Sequence, residues 1–144
     1  MQIKRVLFLC SGNYYRSRFA EELFNYRARV ANLNWMASSR ALALERGAGN
    51  VGPISPFAIE ALKARNIVPT DPARLPVSCR ITDLEEADLV VAMKEAEHRP
   101  IIKAKFSTWA DRVTYWHVHD IDVANPKDAL KLTEIHVSKL IEKL

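Results

Sequence analysis

Cys10-Ser11-Gly12-Asn13-Tyr14-Tyr15-Arg16-Ser17 is the stretch whose reading decides the fold. Upstream, the run from Ile3 to Leu9 carries β-branched and aromatic members and reads as a buried strand. Downstream, from Ser17 to Ala31, Ala20, Phe24 and Ala28 recur at helical spacing, with Phe19, Leu23 and Val30 beside them. The chain therefore opens strand, short loop, helix. A loop of that length can curl so that successive backbone N–H groups point inward. Together with a helix N-terminus, such a nest binds a phosphate dianion. The same field lowers the pKa of a thiol at the bottom of the nest and makes Cys10 a candidate nucleophile. Arg16 can return to the nest and hold two phosphate oxygens through its planar fork. Gly12 allows close backbone approach, and Asn13 tolerates a left-handed backbone. The Ser17 hydroxyl can donate to the Cys10 sulfur. The competing reading is a buried cysteine closing a core strand, with Arg16 solvated on the first helical turn.

Working outward, Trp35 to Ser39 reads as a short second strand and Arg40 to Gly52 as a loop. Ser55-Pro56 starts a helix, with Ser as cap and Pro in the first turn. Ile59 and Leu62 mark its buried face, and it ends near Asn66. Val68 to Pro76 holds three prolines and reads as a connection. Ala87 to Met93 and Val113 to Val118 are two further strands. Asn125-Pro126 repeats the cap signature before a final helix that turns Leu130, Val137, Leu140, Ile141 and Leu144 inward. Alternating strands and helices imply one α/β domain over residues 1–144, a four-stranded parallel sheet with helices on both faces. The phosphate loop lies between strand 1 and helix 1, beyond the carboxyl end of the strand, where open parallel sheets bind ligands.

The totals agree with an ordinary globule. The chain has 144 residues, 49% apolar and 26% charged, with a net charge of +4. Basic residues are interleaved with acidic ones, which is no nucleic-acid footprint. Two cysteines, Cys10 and Cys79, are too few for a disulfide framework or a cysteine-rich zinc site. A reduced, cytoplasmic protein is expected, since no apolar run approaches the length of a membrane span. His117 and His119 share one strand face. They are either a metal pair or, the preferred reading, the edge of the site with one histidine near the phosphate. Cys79 is expected to be a small buried residue, with redox pairing to Cys10 as the alternative. Glu85, Glu86 and the run Lys94 to Arg99 read as a solvated charged face.

The loop resembles that of the low-molecular-weight protein tyrosine phosphatases, which open with a strand and a C-x-G-N-x-C-R-S-P loop. Further stretches are similar: Trp35 to Ser39; Gly52-Pro53 through Ala61-Leu62 and Asn66-Ile67; Arg80-Ile81-Thr82; and Ala87-Asp88-Leu89-Val90-Val91-Ala92-Met93. The chain departs from the pattern at Tyr15, where the family has a second cysteine, at Arg18, where it has proline, and at Lys94, where it has Asp. The family's late Asp-Pro-Tyr reads here Asp120-Ile121-Asp122. The Arg40–Gly52 loop is longer and lacks the aromatic that often lines the substrate entrance. Tyr14 either replaces that wall or packs.

The resemblance implies a cysteine-dependent phosphatase acting on a phosphorylated protein or a small phosphomonoester, without cofactor or metal. Cys10 is the nucleophile that carries a phosphocysteine intermediate, Arg16 the clamp and Asp120, rather than Asp122, the general acid. Ser11, Gly12, Asn13, Tyr14, Tyr15 and Ser17 bind substrate, and Ser39 supports the loop. Two rivals follow from the same fold: a thioredoxin-coupled arsenate reductase, which needs two further cysteines where this chain has one, and a phosphate-binding module with weak turnover.

Overall fold

The computed structural model describes residues 2–144. Its core is four parallel strands, β1 (Lys4–Cys10), β2 (Trp35–Ala41), β3 (Leu89–Ala92) and β4 (Thr114–Tyr115), in the order β2-β1-β3-β4. The chain leaves β1 toward β2 on one side and returns to β3 on the other. The gap beyond the ends of β1 and β3 is thus a topological switch point, and Cys10 ends β1 there.

The helices divide between the two faces because β1 is apolar on both. Val6, Phe8 and Cys10 face one cluster with Phe19, Leu23 and Phe24 of α1 (Arg16–Val30), Leu62 of α2 (Pro56–Ala64) and Val137 of the last helix. Leu7 and Leu9 face the other, with Leu84 of α3 (Ile81–Glu86) and Ile101 and Ile102 of α4 (Glu95–Lys105). The last helix, α5, spans Pro126–Glu142. Ser55 and Asn125 cap α2 and α5 through Phe57 N–H and Asp128 N–H. On α5, Leu130 and Val137 are buried, while Leu140, Ile141 and, just past the helix, Leu144 cover the edge of the cluster half-buried.

Several boundaries depart from the sequence reading. β2 runs on to Ala41, and a short 3₁₀ turn, Leu44–Gly47, organises the segment read as loop. β4 pairs through only two residues, and the rest of Val113 to Val118 runs alongside β3 through single bonds such as Trp116 N–H to Ala92 O at 2.9 Å. Val30 is exposed at the end of α1 rather than buried. The sequence reading assigned no helix to α3 or α4; Glu85 and Glu86 of α3 are exposed, as expected of a charged face.

The proline connection between α2 and α3 is held by side chains of α1. Arg18 is fully buried and donates to the carbonyls of Asp71 and Arg74 at 3.0 and 2.9 Å and, at 3.4 Å, to that of Pro53. Glu22 accepts from the Thr70 N–H at 2.8 Å.

Candidate active site

The phosphate loop runs from Cys10 to Arg16 and closes onto the N-terminus of α1. Asn13 is left-handed, with φ of 51°, as expected of a side chain that tolerates that region. It is also the hub of a buried polar network. Its amide donates to Ser17 Oγ at 3.0 Å and to Ser39 Oγ at 2.9 Å. Its oxygen accepts from Val77 N–H at 3.1 Å and Arg74 Nη1 at 3.2 Å. Ser39 in turn donates to Glu21, which also pairs with Arg74 at 3.2 Å. Burial pushes the Glu21 carboxyl up, against the pull of Ser39 and Arg74. Ser39 is therefore hydrogen-bonded to the loop through Asn13, as one member of a group completed by Glu21 and Arg74, which sequence reasoning missed. Ser17 Oγ lies 2.9 Å from Cys10 Sγ, the contact expected of it.

Arg16 lies at the site, only 2% exposed. Its Nη1 donates to Val118 O at 3.0 Å and to Glu97 Oε1 at 3.2 Å, and its Nη2 donates to Glu97 Oε2 at 2.9 Å. Asp120 Oδ2 is 3.5 Å from Nη2. Burial works against the guanidinium charge, but the Cys10 sulfur and Glu97 outweigh it and raise the Arg16 pKa.

Glu97 and His98 correct the reading of Lys94 to Arg99 as a solvated face. They sit in the first turn of α4, which the sheet aims at the phosphate loop. His98 is fully buried. Its Nδ1 accepts from the Lys94 N–H at 3.0 Å, so the proton of the neutral ring is on Nε2, 3.1 Å from both Ser11 Oγ and Glu97 Oε2. The Ser11 hydroxyl donates to Glu97. Burial opposes ionisation of Glu97, but the bonds from His98, Arg16 and Ser11 prevail and hold its carboxyl far below the usual range. Burial likewise lowers the His98 pKa. His98, rather than His117 or His119, is the histidine of the site; those two are exposed. The signal available in the sequence was Ile101-Ile102, which set the buried side of α4 and so the direction of Glu97.

Cys10, Ser11, Arg16 and Glu97 line a cleft of about 650 Å³, with His98, Asn13 and Ser17 buried behind it. Tyr14 and Phe57 form walls and Arg46 and Lys94 a basic rim, while Asp120, Ile121 and Asp122 lie on the loop after β4. Tyr14 both lines the cleft and packs on the core, its hydroxyl on Val51 O at 2.5 Å. Phe57, half-exposed at the start of α2, is an entrance aromatic that the sequence reading placed nowhere. Tyr15 is buried, its hydroxyl without a partner among the described residues, and burial followed by Asp120 pushes its pKa up to about 12. Gly12 is less constrained than expected: a Cβ there would meet the Gly47 Cα at 3.6 Å, an ordinary contact.

Cys79 and Cys10 are free thiols whose residues belong to clusters on opposite faces of the sheet. Cys79 is half-buried, and burial with the nearby Asp83 raises its pKa to about 12, so it is a poor partner for redox pairing.

The model of the low molecular weight phosphotyrosine protein phosphatases matches residues 5–144. The chain belongs to that family. A protein-arginine-phosphatase of Bacillus subtilis (strain 168) is 36% identical over 110 residues, which is 75% of this chain and 67% of that protein. The crystal structure of a low molecular weight protein tyrosine phosphatase from T. tengcongensis superposes with a TM-score of 0.81 at 30% identity, over 98% of this chain and 99% of that one. The arginine phosphatase YwlE of Bacillus subtilis, as a mutant with a phosphorylated active-site serine, superposes with a TM-score of 0.70 at 26% identity, over 94% and 90% of the two chains. This low-molecular-weight phosphatase is thus a cysteine-based phosphomonoester hydrolase, and the reductase alternative gains no support from its relatives. Among the described residues no helix is long and apolar enough to cross a membrane.

Proposed function

We propose that the protein removes phosphoryl groups from phosphorylated protein side chains in the cytoplasm by a two-step transfer through Cys10. The Cys10 sulfur attacks phosphorus as the ester P–O bond breaks. Asp120, in its acid form, gives its proton to the leaving oxygen. Water then attacks the phosphocysteine, Asp120 takes the water's proton, and inorganic phosphate leaves with the sulfur restored. Arg16 and the N–H groups of the loop hold the equatorial oxygens as charge shifts. The chain's own groups supply each of these roles, so no cofactor is invoked.

The observation that carries the assignment is the position of Asp120. Its carboxylate is 3.5 Å from the Arg16 fork and lines the cleft that Cys10 floors. Asp122 lines the same cleft but makes no ion pair among the described residues. Phosphotyrosine suits the Tyr14 and Phe57 walls. A phosphoarginine leaving group is a second reading. Asp120 and Asp122 offer carboxylates to a guanidinium, and the Bacillus subtilis relative is named for that activity.

A general acid is worth about 10²–10⁴ in rate and most when the leaving group is poor. Asp120→Asn is expected to slow phenyl phosphate strongly and p-nitrophenyl phosphate less, with Asp122→Asn within a few fold on both. The converse pattern reverses the assignment. Cys10→Ser is expected to bind phosphate without turnover. Parallel kcat/KM values on phosphotyrosine and phosphoarginine peptides choose the substrate.

A further inference from the structure

The two-step mechanism gives no task to the carboxylate that is bonded to Arg16, that of Glu97. Glu97 takes the Nη1–Nη2 end of Arg16 in two hydrogen bonds, accepts the Ser11 hydroxyl and lies 3.1 Å from His98 Nε2. Three of these donors meet at Oε2, and Oε1 takes the fourth from Nη1, so the carboxylate is held from several sides. A guanidinium has two bidentate edges, the Nη1–Nη2 end and the Nε–Nη2 side. Here the end is taken, and Nη1 is doubly used because it also donates to Val118 O. Nε makes no hydrogen bond to the described residues. The second Nη2 hydrogen has only Asp120 Oδ2 near it, at 3.5 Å. The side edge is therefore the one still open.

We propose that Glu97 is a positioning residue for phosphoryl transfer: by tying the end of the Arg16 fork to the Ser11 hydroxyl, it presents the Nε–Nη2 edge to the phosphoryl oxygens. The inference rests on Arg16 as phosphate clamp. Glu97 also places a negative charge beside a phosphate dianion, so it gives no net gain in ground-state affinity. Its gain falls where donor geometry matters most, in the transition state. Glu97 lies in the first turn of α4, which brings its carboxylate to Arg16.

Glu97→Gln keeps the size but turns an amide N–H₂ toward donors. The test compares kcat/KM on aryl phosphates of graded leaving-group pKa, per Cys10 titrated with iodoacetate, with the inhibition constant of inorganic phosphate. The expected result is a fall in kcat/KM of about tenfold to a hundredfold, by one factor across the series, with phosphate inhibition altered by less than about threefold. Titrating Cys10 removes any loss caused only by unfolded protein. If Glu97→Gln does not fold, Glu97→Asp carries the same test. It keeps the charge but is one methylene too short to reach both Arg16 and Ser11, so the same split is expected. Retention of kcat/KM within about threefold overturns the proposal, as does a loss that grows with leaving-group pKa, which would make Glu97 a proton donor. Equal factors in kcat/KM and phosphate inhibition also overturn it, since they assign Glu97 to ground-state binding. Arg16→Lys is the control. If it stays active the clamp itself fails, whereas a crippled Arg16→Lys beside an active Glu97→Gln refutes the role of Glu97 alone.

Discussion

Replacing Asn13 by alanine removes four hydrogen bonds and the side chain that tolerates a left-handed backbone in one step. Two donors on its amide reach Ser17 and Ser39, and its oxygen serves Arg74 and the Val77 N–H. At about 0.5–1.5 kcal/mol for each bond, the four contribute about 2–6 kcal/mol. The upper end is not reached, because three of the partners keep other contacts. Ser17 keeps Cys10, Ser39 keeps Glu21, and Arg74 keeps Glu21 and the Leu75 carbonyl. The φ of 51° adds about 1 kcal/mol for a residue with a Cβ and no compensating side chain. The expected loss for Asn13→Ala is therefore about 3–5 kcal/mol in urea unfolding, a large share of the ~5–15 kcal/mol typical of a domain. Asn13→Gly loses the same bonds without the backbone cost and is expected to be about 1 kcal/mol better than the alanine variant. An Asn13→Ala variant within about 1 kcal/mol of wild type would refute the network's role. A glycine variant no better than alanine would refute the backbone argument.

Two more expectations concern oxidation and acid. Peroxide is expected to inactivate the enzyme at Cys10, with poor recovery on adding dithiothreitol. Tyr15 cannot trap a sulfenic acid as a disulfide, and Cys79 lies on the other face of the sheet. A Cys10–Cys79 disulfide found by mass spectrometry would overturn this. Glu134 joins α5 to α1 and α2 through Arg27 at 2.6 Å and Arg65 at 3.0 Å, and hydrogen bonds from Arg65 lead the lowering of its pKa from an ordinary 4.5 to about 2. Its folded pKa is depressed, so its stabilisation is full above pH 4.5 and is lost as pH falls toward 2. Urea midpoints measured across that window should drop in wild type and drop less in Glu134→Gln.

The parts of the fold legible in the sequence were those with a local signature. Cys10 to Ser17 lies between a buried run and a helical stripe, and each half of that pattern is set by neighbours in sequence. Ser55-Pro56 and Asn125-Pro126 announce helices because caps are also local. The helix α4 was hidden by its composition. Lys94 to Arg99 is almost wholly polar, and Pro100, inside the helix, reads as a break. What overrides both is tertiary. Ile101 and Ile102 pack under β1 and β3, and Glu97 finds Arg16, 81 residues earlier in the chain. The same holds for Arg74 on Asn13, whose spacing no periodicity encodes. β4 was read as longer than it is because Val113 to Val118 has strand composition, while the sheet leaves it only two residues of regular pairing.

Among the described residues Arg18 holds the proline connection through main-chain carbonyls, those of Asp71 and Arg74. A contact of that kind is indifferent to side-chain identity but sensitive to spacing. Between Asp71 and Arg74 the intervening residues are therefore free to drift in type, while the gain or loss of a single residue would pull a carbonyl off the buried guanidinium and leave its charge unsolvated. Such a segment can accept many substitutions and few indels, the opposite of what its exposed, irregular course suggests.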